Sequence, residues 1–257
     1  MTTYSISGDS MKQTLMALTV SVTLLVTATP AFADSDLQSI TRLIANRLPG
    51  VTVDHVVPSP VKGMYEVGID GGDVVYVSAD GRYLLSGTLI DLVTQENLTE
   101  QVLAEQRVKA LDSVPEDSMI LFEPEGDVRH TLTTFTDIDC PYCRKMHREM
   151  ALMNRMGIRV RYMLFPRAGV NSLSYEKAVS VWCADDQQAE MTKAKSGAMP
   201  TKRECENPVR EHMALARRLG LRGTPYSISD TGRAIGGYVP AAELLESLEA
   251  DKRKASR

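Results

Sequence analysis

Thr131-Leu-Thr-Thr-Phe-Thr-Asp-Ile-Asp139 runs directly into Cys140-Pro-Tyr-Cys143, and this junction governs the interpretation of the whole chain. The first segment is rich in β-branched residues and predicts a strand. The second segment is placed where a helix should begin, and Pro141 suits the first helical position. A helix N-terminus has unpaired N–H groups and a partial positive charge. We therefore expect a thiolate at Cys140, with a pKa below the usual value of about 8.5.

The charges beside this dithiol conflict. Arg144 and Lys145 favour a thiolate, whereas Asp137 and Asp139 oppose it. We expect the helix N-terminus to dominate over all four side chains.

A Cys-x-x-Cys pair could also be half of a zinc site or a purely structural disulfide. The two remaining cysteines, Cys183 and Cys205, are far apart and form no second Cys-x-x-Cys motif. The pattern therefore favours a redox-active dithiol, with no metal and no cofactor.

Residues 1–33 are predicted to be a secretory signal peptide. The segment from Leu15 to Val26 is apolar apart from Thr and Ser, and Ala31-Phe-Ala33 fits the small-x-small cleavage rule. A membrane anchor is the alternative, but the apolar run is shorter than the ~20 residues that span a bilayer. An exported chain with an even number of cysteines should contain disulfides.

Composition limits the possible partners. The chain has 29 Lys and Arg against 33 Asp and Glu, a net charge of −4. Removing residues 1–33 takes away one acid and one base, so the balance is unchanged. This charge argues against nucleic acid as a partner.

Residues 34–95 predict a small N-terminal domain without cysteines. A helix over residues 35–48 is followed by alternating apolar positions at Tyr65, Val67 and Ile69, and again at Val75 and Val77. A helix on so small an antiparallel sheet buries little core. Pairing with a second copy of the chain is therefore expected.

Residues 96–116 predict a linker helix capped by Asn97 and ending near Asp112; a helix packed flat on one domain is the alternative. Residues 117–257 read as a β–α–β half, a helical insert and a ββα ending. The fold class is therefore α+β, with a thioredoxin-like domain that carries an insertion. The predicted elements are strands at Met119–Phe122, Arg129–Phe135 and Gly157–Phe165, helices at Cys143–Met156 and Ala241–Ala250, a largely helical stretch at Ser172–Leu219, and a hairpin around Asp230-Thr-Gly232.

The chain resembles periplasmic disulfide isomerases of the DsbC/DsbG type. The order and spacing of its motifs agree with that family through residues 118–250. The motifs are Asp-x-x-Cys-Pro-Tyr-Cys-x-x-x-His147, Phe165-Pro-Arg167, Trp182-Cys183, Cys205, Gly223-Thr-Pro225 and Gly236-Gly-Tyr-Val-Pro240. The second cysteine pair favours DsbC, whereas Pro141 replaces the glycine more usual there and is similar to DsbG.

The resemblance implies a fold and an activity. Residues 34–95 would be a cystatin-like dimerisation domain, and residues 117–257 a thioredoxin-like catalytic domain. The activity would be rearrangement of wrong disulfides in unfolded or misoxidised exported proteins, through a mixed disulfide at Cys140 that Cys143 can resolve. A homodimer, chaperone-like substrate binding, periplasmic localisation and a DsbD-like membrane thiol reductase as electron donor would accompany it.

The resemblance also implies roles for further residues. Thr224-Pro225 would have a cis peptide bond beside the dithiol, and its backbone would pair with an extended substrate strand. Thr224, Pro225, Pro141 and Tyr142 would bind substrate. Cys183 and Cys205 would form a structural disulfide, with a second redox-active pair as the alternative. His147 would either tune the thiols or pack as an ordinary helix residue.

Two other functions remain open from sequence. One is a net thiol oxidase that works as a monomer, and the other is a DsbG-like holdase or reductase that protects single cysteines. Pro141 leaves the balance between isomerase and oxidase open.

Overall fold

The computed structural model describes residues 1–3 and 34–255. Residues 4–33 of the predicted signal peptide therefore lie outside the described residues. Within those ranges, no helix combines the length and the apolar character needed to cross a membrane.

The N-terminal part is one helix packed on a four-stranded antiparallel sheet. The elements are α1 (Asp34–Arg47), β1 (Val53–Pro58), β2 (Met64–Ile69), β3 (Asp73–Ser78) and β4 (Leu84–Ser86), with strand order β1-β2-β3-β4. The predicted alternation is confirmed, because Tyr65, Val67, Val75 and Val77 point into one cluster with Ile40 and Ile44 of the helix. The sheet thus buries one face against α1, as a period of two requires.

One edge strand was harder to predict. Val53–Pro58 was not predicted as a strand, because its polar Asp54 and His55 interrupt the apolar pattern and Pro58 cannot donate to a ladder. Such a sequence is tolerated at a sheet edge, which is where β1 lies. At the opposite edge, all three residues of β4 are exposed.

Helix α2 (Leu98–Asp112) has the predicted length, and its predicted cap is confirmed, since Asn97 Oδ1 accepts from Glu100 N at 2.9 Å. At its start, the Thr99 hydroxyl lies 2.5 Å from the hydroxyl of Tyr76 on β3. At its end, Leu111 is buried with residues of the C-terminal part. The helix therefore contacts elements on both of its sides.

A close approach fixes α2 against the C-terminal part near its middle. Gly232 has a φ of +83°, and a Cβ there would collide with the carbonyl oxygen of Ala104. Arg107 also donates to the carbonyl oxygen of Gly232 at 3.2 Å. Only glycine satisfies both the backbone conformation and the clearance at this position.

The C-terminal part is a five-stranded mixed sheet covered by helices. Its strands are β5 (Ile120–Phe122), β6 (His130–Thr136), β7 (Ile158–Leu164), β8 (Tyr226–Ser229) and β9 (Ala234–Gly236), in the order β5-β7-β6-β8-β9. Strands β6 and β7 are parallel and the other pairs are antiparallel. This is the predicted β–α–β half with a ββα ending. The position of β6 in the middle of the sheet brings the loop after Thr136 to the centre of one end.

The helices of this part are α3 (Pro141–Arg148), α4 (Met150–Arg155), α5 (Leu173–Trp182), α6 (Gln187–Lys195), α7 (Val209–Arg218) and α8 (Ala241–Ala255). The prediction of one continuous helix over Cys143–Met156 is wrong, because the helix breaks at Glu149. The Glu149 carboxylate accepts from Tyr238 Oη and, at 2.7 Å, from the backbone N–H of Ala241. It thereby satisfies a free donor at the start of α8. The sequence around Glu149 does not predict this long-range contact.

Candidate active site: a dithiol at the start of α3

The dithiol lies at the junction that the sequence indicates. Strand β6 ends at Thr136, a three-residue loop follows, and Cys140 occupies the N-cap of α3 with Pro141 in the first turn. Cys140 and Cys143 are both free thiols and both are buried. The thiols therefore lie at the positive end of a helix dipole.

The loop before β8 covers the dithiol. The Thr224–Pro225 peptide bond is cis, and the Cys140 thiol donates to the carbonyl oxygen of Thr224 at 3.1 Å. The Thr224 hydroxyl is buried without a hydrogen-bond partner in the described part of the chain. This hydroxyl lowers the pKa of both Cys140 and Cys143, because it can donate a hydrogen bond to either thiolate. An unpaired buried donor is costly, so this hydroxyl gains a partner when a thiol ionises.

The two thiols differ in their readiness to ionise. Burial opposes ionisation of Cys140, but hydrogen bonds from Thr224 and from the backbone and thiol of Cys143, with the charge of Arg167, outweigh it and lower its pKa. Burial dominates at Cys143 and raises its pKa, although the Lys195 ammonium acts in the opposite direction. Cys140 is thus the readier thiolate of the pair.

Asp137 is the hub of a buried network beside the dithiol. Its carboxylate accepts from Arg167 N at 3.0 Å, Arg167 Nε at 3.1 Å, Ser174 Oγ at 2.7 Å and Asp139 N at 2.9 Å. The carboxylate is buried, yet these donors outweigh the burial and hold the pKa of Asp137 below its usual range. The network holds Arg167, and its positive charge, close to the dithiol.

The local charges act differently from the sequence-based expectation. Asp139 pairs with Arg144 at 3.1 Å and with Lys177 at 2.7 Å, so its negative charge is balanced. Lys145 lies over the ring of Tyr238, 4.4 Å from its centroid. Arg167, for which no such role was predicted, supplies a positive charge that favours the Cys140 thiolate.

The residues expected to bind substrate fall into two groups. Pro141 and Tyr142 lie on the surface beside the dithiol, and the Tyr142 side chain is 62% exposed. Thr224 and Pro225 are buried, and the carbonyl oxygen of Pro225 accepts from Gly237 N at 2.8 Å.

Cys183 and Cys205 are joined by a disulfide with an S–S distance of 2.02 Å. It closes the segment that contains α6 and involves neither thiol at the start of α3. In the described ranges, no cluster of three or more His, Cys, Asp or Glu side chains is arranged to hold a metal ion.

Comparison with known proteins agrees with this geometry. A family model for the disulfide bond isomerase N-terminal domain matches residues 31–100, and one for a thioredoxin-like domain matches residues 115–252. The chain is 32% identical over 234 residues to the thiol:disulfide interchange protein DsbC of Escherichia coli (strain K12), covering 90% of this chain and 95% of that protein. It is 36% identical over 208 residues to DsbC of Haemophilus influenzae, covering 80% of this chain and 89% of the relative.

The chain belongs to the DsbC family. The predicted family, the α+β fold with a thioredoxin-like domain and the thiol:disulfide interchange activity are confirmed. Among solved structures, the disulfide interchange protein from Neisseria gonorrhoeae is 29% identical, with a TM-score of 0.48, covering 54% of this chain and 98% of that chain.

His147, which is part of the DsbC-type motif, packs rather than faces solvent. Its Nδ1 lies 3.2 Å from Tyr162 Oη and its Nε2 lies 3.1 Å from Thr192 Oγ1. Burial, reinforced by the charge of Lys195, lowers the pKa of His147 to about 4. The imidazole is therefore neutral at physiological pH, and the packed alternative fits the structure better than a tuning role.

Lys195 is the residue near the DsbC-type dithiol that the motif search missed. It lies on α6, and Met191, Ala194 and Lys195 are all buried. Their spacing of three and four residues places the lysine on the apolar face of the helix. Lys195 could have been found from the sequence, because it is a charged residue at a position where the helical period predicts an apolar one.

Arg167→Met should make Cys140 less reactive. Removing the positive charge raises the pKa of Cys140, so alkylation by iodoacetamide at mildly acidic pH should slow by about three- to tenfold. Mass spectrometry of the reduced protein over a pH series would follow the modification of Cys140. Lys145→Met is the matched control and should leave the rate unchanged. An equal loss of rate in both variants would contradict the assignment to Arg167.

Proposed function

We propose that the protein is a periplasmic disulfide isomerase and reductase that rearranges wrong disulfides in exported proteins through a mixed disulfide at Cys140. The observation that carries the proposal is the position of the dithiol, with Cys140 at the N-cap of α3 and in contact with the cis Thr224–Pro225 segment. Hydrogen bonds lower the pKa of Cys140 there, whereas burial raises that of Cys143. Cys140 can act as the nucleophile because its thiolate forms easily. Cys143 stays protonated longer, so the mixed disulfide with the substrate persists before Cys143 resolves it.

The chemistry follows thiol–disulfide exchange. The Cys140 thiolate attacks one sulfur of a substrate disulfide and releases the other as a thiolate. A substrate thiolate can then attack the mixed disulfide, which forms a new substrate disulfide and frees Cys140. If this rearrangement stalls, Cys143 attacks Cys140 and releases reduced substrate. The raised pKa of Cys143 favours the first outcome over the second.

The substrate would lie along the loop at Thr224–Pro225 and against the exposed Tyr142. The Cys140 thiol occupies the carbonyl oxygen of Thr224 in the free protein. When Cys140 enters a mixed disulfide, this carbonyl loses its donor and can accept an N–H from an extended substrate chain. The exposed ring of Tyr142 offers apolar contact area for the same substrate chain.

Recovery of activity from scrambled ribonuclease tests the proposal. An isomerase restores activity with catalytic turnover when supplied with a trace of reductant. A net thiol oxidase, the alternative that Pro141 leaves open, would act on reduced ribonuclease but stall on the scrambled protein. A holdase would suppress aggregation without restoring activity. Either of the last two results would overturn the proposal.

We infer that the protein works as a homodimer paired through residues 34–95. The support is the β4 edge, where Leu84 and Leu85 are 47% and 55% exposed beside the exposed Tyr83. An edge strand presents unpaired backbone groups, and an apolar one is a template for pairing with another chain. Two such edges would complete each other across a two-fold axis.

Leu85→Asp should convert the dimer to a monomer. A charge at the centre of a buried strand pair should weaken association by more than about a hundredfold. Sedimentation or light scattering at micromolar concentration measures the change. Val128→Asp replaces an exposed apolar residue of the C-terminal part and is the control, since it should leave the mass unchanged. A monomeric wild type, or a dimeric Leu85→Asp, would contradict the interface.

Localisation in the periplasm requires a reductant for Cys140. Because an oxidising compartment would drive the dithiol into a disulfide, turnover depends on a donor of electrons. We propose a DsbD-like membrane thiol reductase as that partner. Alkylation state in cells with and without such a reductase measures the dependence, and Cys140 should become oxidised in its absence.

A further inference from the structure

Lys195 is a buried cation that forms no salt bridge within the described residues. It is 3% exposed. The ammonium donates to Thr136 Oγ1 at 2.7 Å and to the carbonyl oxygen of Asp137 at 2.8 Å, and it lies 5.8 Å from the ring centroid of Tyr162. Both hydrogen-bond partners are uncharged. In the part of the chain that the structure describes, no carboxylate pairs with this nitrogen, although buried charges are ordinarily paired.

The same two neighbours of Lys195 also bind Cys143. The Thr136 hydroxyl and the backbone of Asp137 form hydrogen bonds that favour the Cys143 thiolate. Because Thr136 Oγ1 accepts from the ammonium, its one O–H bond is available for the sulfur. The lysine therefore orients the donors of Cys143 and polarises one of them. The Lys195 ammonium and the Cys143 thiolate therefore favour each other.

We propose that Lys195 is a positioning residue for the resolving step, in which its ammonium, through the Thr136 hydroxyl, stabilises the Cys143 thiolate as it attacks the mixed disulfide at Cys140. The inference rests on the proposed function, since it assigns a task to Cys143 within it.

The step balances without any other reagent. The S–H bond of Cys143 breaks, and its sulfur forms a bond to Cys140 Sγ. The bond between Cys140 and the substrate sulfur breaks, and its electron pair leaves on that sulfur, which takes up the proton lost by Cys143. The two protein sulfurs end as a disulfide, and the substrate sulfur ends reduced.

Other charged and titratable groups surround the pair. Burial lowers the pKa of Lys195 to about 8. The negative charges of the two thiolates and of Asp137 act in the opposite direction and favour the ammonium. The lysine therefore remains mainly protonated at neutral pH. The groups that act on Lys195 or Cys143 in addition are Arg144, His147 and Tyr162.

The test separates the two thiols in time. Reduced protein is mixed with excess dithio-bis(nitrobenzoic acid) in a stopped-flow instrument. Attack by Cys140 releases one coloured thiolate, and attack by Cys143 on the resulting mixed disulfide releases a second. In Lys195→Met, the second phase should slow by at least about tenfold near neutral pH, and its pH profile should move to higher pH. The rate of the first phase should change by less than about twofold, because the Lys195 ammonium binds the residues that act on Cys143.

Matched variants keep the outcome decisive. Lys193→Met removes an exposed lysine from the same helix and should leave both phases unchanged. Thr136→Val keeps the shape of the strand residue, removes the hydroxyl, and should slow the second phase alone even if Lys195→Met does not fold. A second phase with unaltered rate and pH profile in Lys195→Met or in Thr136→Val overturns the inference. A second phase that persists in Cys143→Ala would instead overturn the role of Cys143 in the proposed function.

Discussion

Cys140→Ala should abolish the recovery of scrambled ribonuclease, with a loss of at least about a thousandfold in rate. The reason is that Cys143 cannot replace it. Burial raises the pKa of Cys143, so its thiol stays protonated where that of Cys140 ionises. The assay is the appearance of ribonuclease activity at a fixed thiol concentration.

Cys143→Ala is the companion variant and should behave differently. It keeps the attacking thiolate and loses the resolving thiol, so substrate should accumulate on Cys140 as a mixed disulfide. Non-reducing electrophoresis would show this as a band that disappears on reduction. Equal activity in the two variants, or trapping by Cys140→Ala instead, would show that the roles of the thiols are reversed.

Asp137→Asn should destabilise the fold by about 3 kcal/mol at neutral pH. The carboxylate is 3% exposed and accepts four hydrogen bonds, two of them from Arg167. Asparagine has the same shape, but it loses the charge and places an N–H₂ group where an acceptor is needed. Urea unfolding monitored by circular dichroism measures the difference.

The pH dependence of this difference is a further check. Hydrogen bonds hold the pKa of Asp137 below its unfolded value. The stability that the carboxylate contributes is therefore fully present above the unfolded pKa, and it is lost as the pH falls through the folded pKa. The gap between wild type and Asp137→Asn should narrow in acid. A gap that stays constant from neutral pH to strongly acidic pH would show that the charge is not its source.

Asp139→Asn is the control for this prediction. Asp139 is two residues away and pairs with Arg144 and Lys177, but it is partly exposed. Solvent screens such pairs, so the expected cost is less than about 1 kcal/mol.

The sequence was sufficient where the physical cause was local. The strand before Cys140, the helix after it, the Asn97 cap and the alternation on β2 and β3 all follow from periods and caps within a few residues. The structure agrees with each of these.

The sequence was insufficient where the cause lies far along the chain. At the break between α3 and α4, the Glu149 carboxylate accepts hydrogen bonds from Tyr238 and Ala241, about ninety residues away. Arg167, which Asp137 holds in place, is a charge that favours the Cys140 thiolate, although it lies 27 residues further along the chain. Charges in a folded protein act over distances in space, so an inventory of neighbours in sequence can assign them to the wrong residues.

Helix α2 has a consequence for how far and at what angle the two halves of the chain can be set. Its Thr99 end meets Tyr76, and its middle meets Gly232. At 1.5 Å and 100° per residue, its 15 residues span roughly 22 Å and also set the rotation about the helix axis between its two ends. Four extra residues would lengthen it by about 6 Å and turn one half by about 40°, whereas seven would lengthen it by about 10 Å with a turn of only about 20°. In a dimer, inserting seven residues into α2 would therefore change the spacing of the two dithiols while nearly preserving the direction in which they face.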